Sequence, residues 1–474
     1  MSSPIALPSR DDPVVASASE AVGGPIGRHA SMGRGWWGPV RVALAVACVV
    51  LGLGVIADAS CRGDSWASRE DRSMWTGLCY SDVAFLYRER GFADGAVAYR
   101  DTALEYPVLT GAVMQGSAYL ARALAADVPA DGAAGAAGDR QALAESVRFY
   151  DVTALLMGIA ALVVVVATAR TVRRRPWDAM LVAASPVLLL TATINWDLLA
   201  AALAALAILA WTRERAFLAG LLVGLGAAAK LYPALLLGPM LLVALRAPDR
   251  VRAMADYATT VGAAFLTWVA VNLPVYLWAP EGWREFFTFN SDRGADFGSP
   301  WYALDLLYPG LLPERIDGLL VGVAVVLLAL VAWLALVAPE PPRLAQLAFL
   351  AVAAFLLVNK VWSPQYALWL LPLAVLARPR WRDLLIWQLT EVVYFVAVWW
   401  HLASLYDAEH PLIGSRGYAG ATALRIAGLG WLVAVIVRDV LHPEHDPVRP
   451  YLDPTAVDHG DVAVRPMSER PVAP

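Results

Sequence analysis

The chain has 474 residues, of which 59% are hydrophobic and only 16% charged, with a mean hydropathy of +0.55 and a formal net charge of −4. This excludes an ordinary soluble domain and fits an all-α polytopic membrane protein. The near-neutral charge gives no sign of a nucleic-acid partner, and the scarcity of lysine beside abundant Arg, Ala, Val and Leu is the bias of a GC-rich genome.

Residues 1–35, rich in Ser, Gly, Pro and Arg without periodicity, read as a disordered tail. The first apolar stretch, 36–57, follows Arg28 and Arg34, holds Arg41 near its start, and lacks a small-residue cleavage site directly after it, as a retained anchor does. A large loop, 58–148, comes next. Within it 104–125 is apolar enough for a surface helix, and Ala125 to Gly138 reads as a flexible linker. Further stretches fall at 149–169, 178–194, 197–212, 217–229, 233–245, 256–278, 317–338, 344–359, 366–377, 383–403 and 420–437, giving about twelve transmembrane helices in a membrane domain over 36–438. Residues 439–474, rich in Pro and Asp, read as a second disordered tail.

Arginines cluster in alternate loops: Arg170 with Arg173 to Arg175, Arg213 with Arg215, Arg246 with Arg250 and Arg252, Arg343, Arg378 with Arg380 and Arg382, and Arg438. Short Lys/Arg-rich loops stay cytoplasmic, which places both termini inside a plasma membrane. The conspicuous polar motifs then fall on the external face: Tyr80-Ser81-Asp82, Glu105-Tyr106-Pro107, Asn195-Trp196-Asp197, Lys230 to Pro233, Asn290 to Asp296, Lys360 to Tyr366 and His401 to His410. Counting 104–125 as a span would invert every later loop, so it is expected to lie on the outer surface. Cys61 and Cys79 share an external loop, where either a disulfide or two buried thiols is compatible with the compartment.

The chain has two lysines, Lys230 and Lys360, each at the outer end of a short apolar segment just before an aromatic residue and a proline, as if one hairpin were used twice. Residues 217–229 reach only ~20 Å against a hydrocarbon core of ~30 Å. The helix must therefore stop inside the membrane, where irregular backbone is tolerated beside a wet cavity. Each lysine either edges such a cavity or snorkels to the interface.

Asp82 stands at the start of a short apolar helix, where it serves either as a general base toward a sugar hydroxyl or, with Ser81, as a helix cap. Glu105 and Asp197 at helix starts suit either a dipole role or substrate contact. Asn290 to Asp296, which includes Arg293, suits a loop that binds sugar or phosphate, or a plain solvated loop. Gln388, Glu391 and Tyr394 recur every three residues within one span and Arg425 lies within the last; Glu391 and Arg425 form a structural pair, or Arg425 is a phosphate ligand organised by Glu391.

The order of Ser81-Asp82-Val-Ala-Phe-Leu-Tyr87, Glu105-Tyr106-Pro107, Lys230-Leu-Tyr-Pro233 and Ser363-Pro364 with Leu370-Leu371-Pro372 resembles the GT-C superfamily of membrane glycosyltransferases. The nearer likeness is to glycosyltransferase family 87, the polyprenyl-phosphate-mannose-dependent α-mannosyltransferases of actinobacteria. The resemblance implies a GT-C-like fold, a lipid-linked sugar donor, a cell-envelope glycolipid or glycan acceptor, no nucleotide sugar, and Asp82 at the position of the family's catalytic base. One departure stands out: family members often carry histidine shortly after Ser-Pro, where this chain has Gln365 and Tyr366.

The resulting expectation is an inverting-type hexosyl, specifically mannosyl, transfer with no metal or cofactor. Asp82 is the catalytic residue. Lys230, Arg425, Arg293 and Lys360 bind the donor phosphate, while Glu105, Tyr106, Asn195, Asp197, Tyr232, Gln365 and Tyr366 bind substrate. A transporter or flippase of a lipid-linked precursor is the rival reading, since broken helices and buried ions also suit it.

Overall fold

The computed structural model describes residues 5–6, 12–21, 37–62, 66, 72–125, 134–313 and 316–452, and all regular structure among them is helical. Six helices are long and apolar enough to cross a membrane. They are α1 (Pro39–Ala57), the inner part of α4 (Ala134–Thr171), α8 (Arg250–Trp278), α11 (Asp317–Val337), α14 (Trp381–Tyr406) and α15 (Ser415–Leu441). Short apolar helices stand among them: α5 (Asp197–Thr212), α6 (Ala216–Ala229), α7 (Leu237–Leu245), α12 (Leu344–Val358) and α13 (Ala367–Ala377). Above them lie α2 (Asp82–Glu89), α3 (Val108–Leu124), α9 (Pro280–Asp292) and α10 (Pro300–Leu307).

The expected span at 178–194 is the exception: it is broken into Pro176–Ala179, Met180–Ala183 and Pro186–Thr191. Pro186 has no N–H to donate and disfavours helix at Ser185. Ser185 compensates by capping the last piece, accepting from Leu188 N at 3.3 Å, and by donating to Gln388 Oε1 at 2.6 Å.

Two ends of the bundle have different chemistry. At one end the arginine loops tie themselves together. Arg343 bonds Asp446 at 2.7 Å, Arg378 bonds Asp383 at 2.6 Å and also pairs with Asp439, Arg175 bonds Asp178 at 2.8 Å, and Arg246 donates to the Ala338 carbonyl at 2.8 Å. Asp446, Asp439 and Asp383 are buried, so removing one partner would leave an uncompensated charge at a cost of about 3–5 kcal/mol.

These contacts correct the reading of the tails. Residues 439–452 are built into the arginine end, because Asp439 and Asp446 are the counter-ions its buried arginines require. Near the other terminus Pro13–Ala21 is a helix, and Asp12 accepts from the Trp381 backbone N–H at 3.0 Å. The remaining tail residues, and 126–133 of the expected linker, lie outside the described residues; 134–138 of that linker begin α4.

At the other end gather all the polar motifs. The helix expected on the outer surface is α3, tethered by Thr110 Oγ1 donating to the Ala229 carbonyl at 2.7 Å. α6 packs closely on α8 because Gly220 and Gly224 leave room: a Cβ at either would meet the carbonyl oxygen of Thr260 or Ala264 at 2.2 or 2.4 Å. The 14 residues of α6 rise about 21 Å, short of a ~30 Å hydrocarbon core. α6 alone is therefore too short to span such a core, whereas α8, α14 and α15, at 29, 26 and 27 residues, are long enough.

The segregation of the two ends makes sidedness testable. In a Cys48→Ser background, cysteines at Ser291 and Glu409 are expected to react with an impermeant thiol reagent on intact cells, and one at Arg250 only after permeabilisation. The reverse pattern would turn the molecule over.

Candidate active site

Ser81 caps α2, accepting from Val83 N at 3.3 Å, and its hydroxyl donates to the Thr193 carbonyl at 2.7 Å. The Asp82 N–H donates to the Ile194 carbonyl at 2.9 Å. Capping is thus done by Ser81, and the Asp82 carboxylate instead accepts from the Tyr80 hydroxyl at 2.6 Å. The Cys61–Cys79 disulfide forms, with Cα atoms 6.0 Å apart, and anchors the strand of chain that leads into Tyr80. Closing a loop of this length stabilises the fold by about 3 kcal/mol in the chain-entropy model.

Lys230 ends α6 in extended backbone, its N–H on the Gly226 carbonyl at 2.8 Å. Its ammonium lies 3.1 Å from Asp197 Oδ1 and over the rings of Tyr106, Tyr366 and Trp369 at 5.4, 5.2 and 5.8 Å. The side chain is 18% exposed and faces the cavity, so snorkelling to the interface does not describe it. Beneath it Trp369 donates to Asp197 Oδ1 at 2.8 Å and stacks between Tyr366 at 4.0 Å and Tyr232 at 4.5 Å. The turns of the two lysine hairpins thereby meet in one aromatic floor.

Over that floor is a cavity of ≈ 370 Å³. Asp82, Glu105, Tyr106, Asn195, Lys230, Arg293, Gln365 and Tyr366 all line it. Glu105 is held by a two-pronged contact from Arg90, both bonds 2.9 Å. Arg293 is paired with Asp296 at 2.5 Å. Burial, with the Asp82 charge beside it, pushes the Tyr106 phenol well above its ordinary pKa, so it lines the cavity as a neutral hydroxyl.

Four candidate residues sit elsewhere. Asp197 and Tyr232 are buried under the floor and shape it from below. Lys360 turns away to Asp317 at 2.8 Å and the Ser291 carbonyl at 2.9 Å, which stitches α9 to α11. Arg425 is fully buried: it bonds Glu391 at 2.8 Å and the Ser363 carbonyl at 3.2 Å, and lies between the rings of Trp362 and Tyr394, each 4.2 Å away. It is a brace behind the 362–366 turn and does not reach the cavity. The opposing loop is braced too, as Gly298 donates to the Tyr418 hydroxyl at 2.8 Å in a left-handed conformation (φ +80°). A Cβ there would meet the Trp362 carbonyl oxygen at 1.9 Å.

Sequence reasoning missed one whole wall of the cavity: Trp75, Trp399 and Tyr406, with Tyr80 stacked on Trp75 at 4.6 Å and lying 4.9 Å from Trp399. It also missed Phe286 and Phe289 on α9, and Arg90. Trp and Tyr at span ends read equally well as an interfacial belt, so no signal singled them out; the Phe-Phe-x-Phe run at 286–289 was a usable one.

The fold and the site define a polytopic helical membrane protein with a cavity that brings carboxylates and cations together over an aromatic floor. Residues 142–359 match the model of glycosyltransferase family 87. The match takes in Asn195, Asp197, Lys230, Tyr232 and Arg293; the Asp82 and Glu105 motifs precede it, and Lys360, Gln365, Tyr366 and Arg425 follow it. No curated protein matches the chain.

The placement of Arg425 has a measurable consequence. Arg425→Met strands Glu391 in the interior and is expected to cost about 3–5 kcal/mol, seen as a lower thermal midpoint of the detergent-purified protein, with part of the loss recovered on adding Glu391→Gln. An unchanged midpoint combined with lost donor binding would return Arg425 to the phosphate.

Proposed function

We propose that the protein moves a sugar, specifically mannose, from a polyprenyl-phosphate donor to a glycolipid or glycan acceptor on the external face of the plasma membrane, with both termini cytoplasmic. What supports this is the short helix beneath the floor: Lys230 ends a helix of about 21 Å, less than a ~30 Å hydrocarbon core, which in this reading sets its ammonium at a level that a lipid-linked phosphate can reach. A soluble sugar donor would have no need of a cation at that level.

In the proposed transfer Asp82 takes the proton of the acceptor hydroxyl, the acceptor oxygen bonds to the sugar C1, and the C1–O bond breaks with its electron pair left on the phosphate. Lys230 and Arg293 meet the charge that develops there, within a partly dehydrated cavity where such contacts are strong. Tyr106 and Tyr366 supply further hydroxyl groups, and Glu105, Asn195 and Gln365 suit the sugar hydroxyls. The scheme takes all its charge compensation from side chains, without metal or cofactor. The flippase reading is less favoured, because the space beneath Lys230 is filled by buried Asp197, Tyr232 and Trp369.

Membranes given labelled polyprenyl-phosphate-mannose, and separately a labelled arabinose donor, are expected to place mannose in glycolipid. Asp82→Asn should lose at least ~10²-fold in rate while donor binding persists, and Lys230→Met should weaken donor binding more than Lys230→Arg. Label from neither donor would favour transport, and a tenth of wild-type activity in Asp82→Asn would remove that residue from the role.

A further inference from the structure

The hydrogen bond from Tyr80 to Asp82 crosses a single intervening residue and falls outside any helix, since α2 begins at Asp82 and Ser81 is its cap. It forms because both partners are fixed independently. The Tyr80 ring is clamped by Trp75, stacked at 4.6 Å and 16°, by Trp399 at 4.9 Å and by Phe85 at 5.7 Å. The Asp82 backbone is fixed from another side, through its N–H on the Ile194 carbonyl. A phenol held by α14 is thus aimed at a carboxylate held by the turn before α5.

We propose that Tyr80 is a positioning residue, which sets the rotation of the Asp82 carboxylate for proton abstraction from the acceptor; this rests on the reading of Asp82 as the base. Tyr80 acts through Asp82, and its ring doubles as part of the aromatic wall. Its contribution is preorganisation, because a carboxylate already locked by a donor loses no rotational freedom when the acceptor arrives.

The same bond favours the ionised carboxylate. The charged and titratable groups that line the cavity with Asp82 among the described residues include Glu105, Tyr106, Lys230, Arg293, Tyr366 and Tyr406, with Asp197 behind Lys230. None of these is altered by deleting one hydroxyl at position 80, so a change in the titration of Asp82 reports on Tyr80 itself.

Tyr80→Phe keeps the ring and its stacking. In full-length protein, the carboxyl band that infrared difference spectroscopy assigns to Asp82, by its loss in Asp82→Asn, is expected to titrate about one pH unit higher in Tyr80→Phe. With labelled polyprenyl-phosphate-mannose, kcat is expected to fall about tenfold, KM for the donor to stay within about twofold, and the acidic limb of the rate profile to move upward with the infrared titration. An unmoved titration overturns the proposal. So does a fall in kcat that comes with a lowered thermal midpoint and an unmoved acidic limb, which would confine Tyr80 to the wall. An active Asp82→Asn would sink the reading of the base instead, whereas an inactive Asp82→Asn beside an unaffected Tyr80→Phe would sink this inference alone.

Discussion

Helices that are too short for the bilayer decide where the chemistry of this protein can sit. α6 has 14 residues, α12 has 15 and α13 has 11, with a short turn before α13. Starting from the arginine end, each falls several ångströms short of the far boundary of a ~30 Å hydrocarbon core. Their ends must be irregular backbone at a depth where every N–H and C=O has to find a partner within the protein. The partners are supplied by Arg425, which takes the Ser363 carbonyl, by Thr110, which takes the Ala229 carbonyl, and by the 296–298 loop, which exchanges backbone bonds with Lys360 and Trp362. The same requirement that makes the break tolerable makes it rigid.

Rigidity at that depth explains why charges can be kept there. Lys230 is offset by Asp197 and ringed by three aromatic faces, each favourable to a cation. Glu105 is offset by Arg90, and Arg293 by Asp296. Both cations that line the cavity are therefore already oriented by an acid partner. At the opposite end Arg343, Arg378 and Arg175 use buried acids to fasten loops and the 439–452 segment. Ion pairs at the two ends use the same residue types for different ends: fastening at one, presentation at the other.

The six long apolar helices, out of about twelve spans expected, were legible because twenty or so apolar residues admit few alternatives, and the break at Ser185 could have been read from Pro186. Membership of one face was legible as well, since arginine bias fixes the parity of every loop. Asp82, Glu105 and Lys230 were singled out as polar groups stranded beside apolar helices, and they do line one cavity. What sequence did not disclose is which long-range partner each polar group finds. Arg425 and Glu391 looked equally suited to a phosphate or to each other, and only the burial of both decides for the pair. Trp399 sits within a span that exposes its neighbour Trp400, and nothing local says which of the two turns inward.

The two lysines show how fine that limit is. Both leave a short helix in extended backbone two residues before an aromatic ring, yet Lys230 precedes its proline by three positions and Lys360 by four. In extended chain each added residue turns the side chain to the opposite face. With the proline turns anchored alike at the head of α7 and α13, one extra residue sends the second lysine outward, to Asp317 and the Ser291 carbonyl. The space it would have filled is lined instead by Ser363, Gln365 and Tyr366, so the second hairpin presents hydroxyl and amide groups where the first presents a charge. A duplicated hairpin shifted by one residue thus yields two unlike walls, one charged and one neutral and polar.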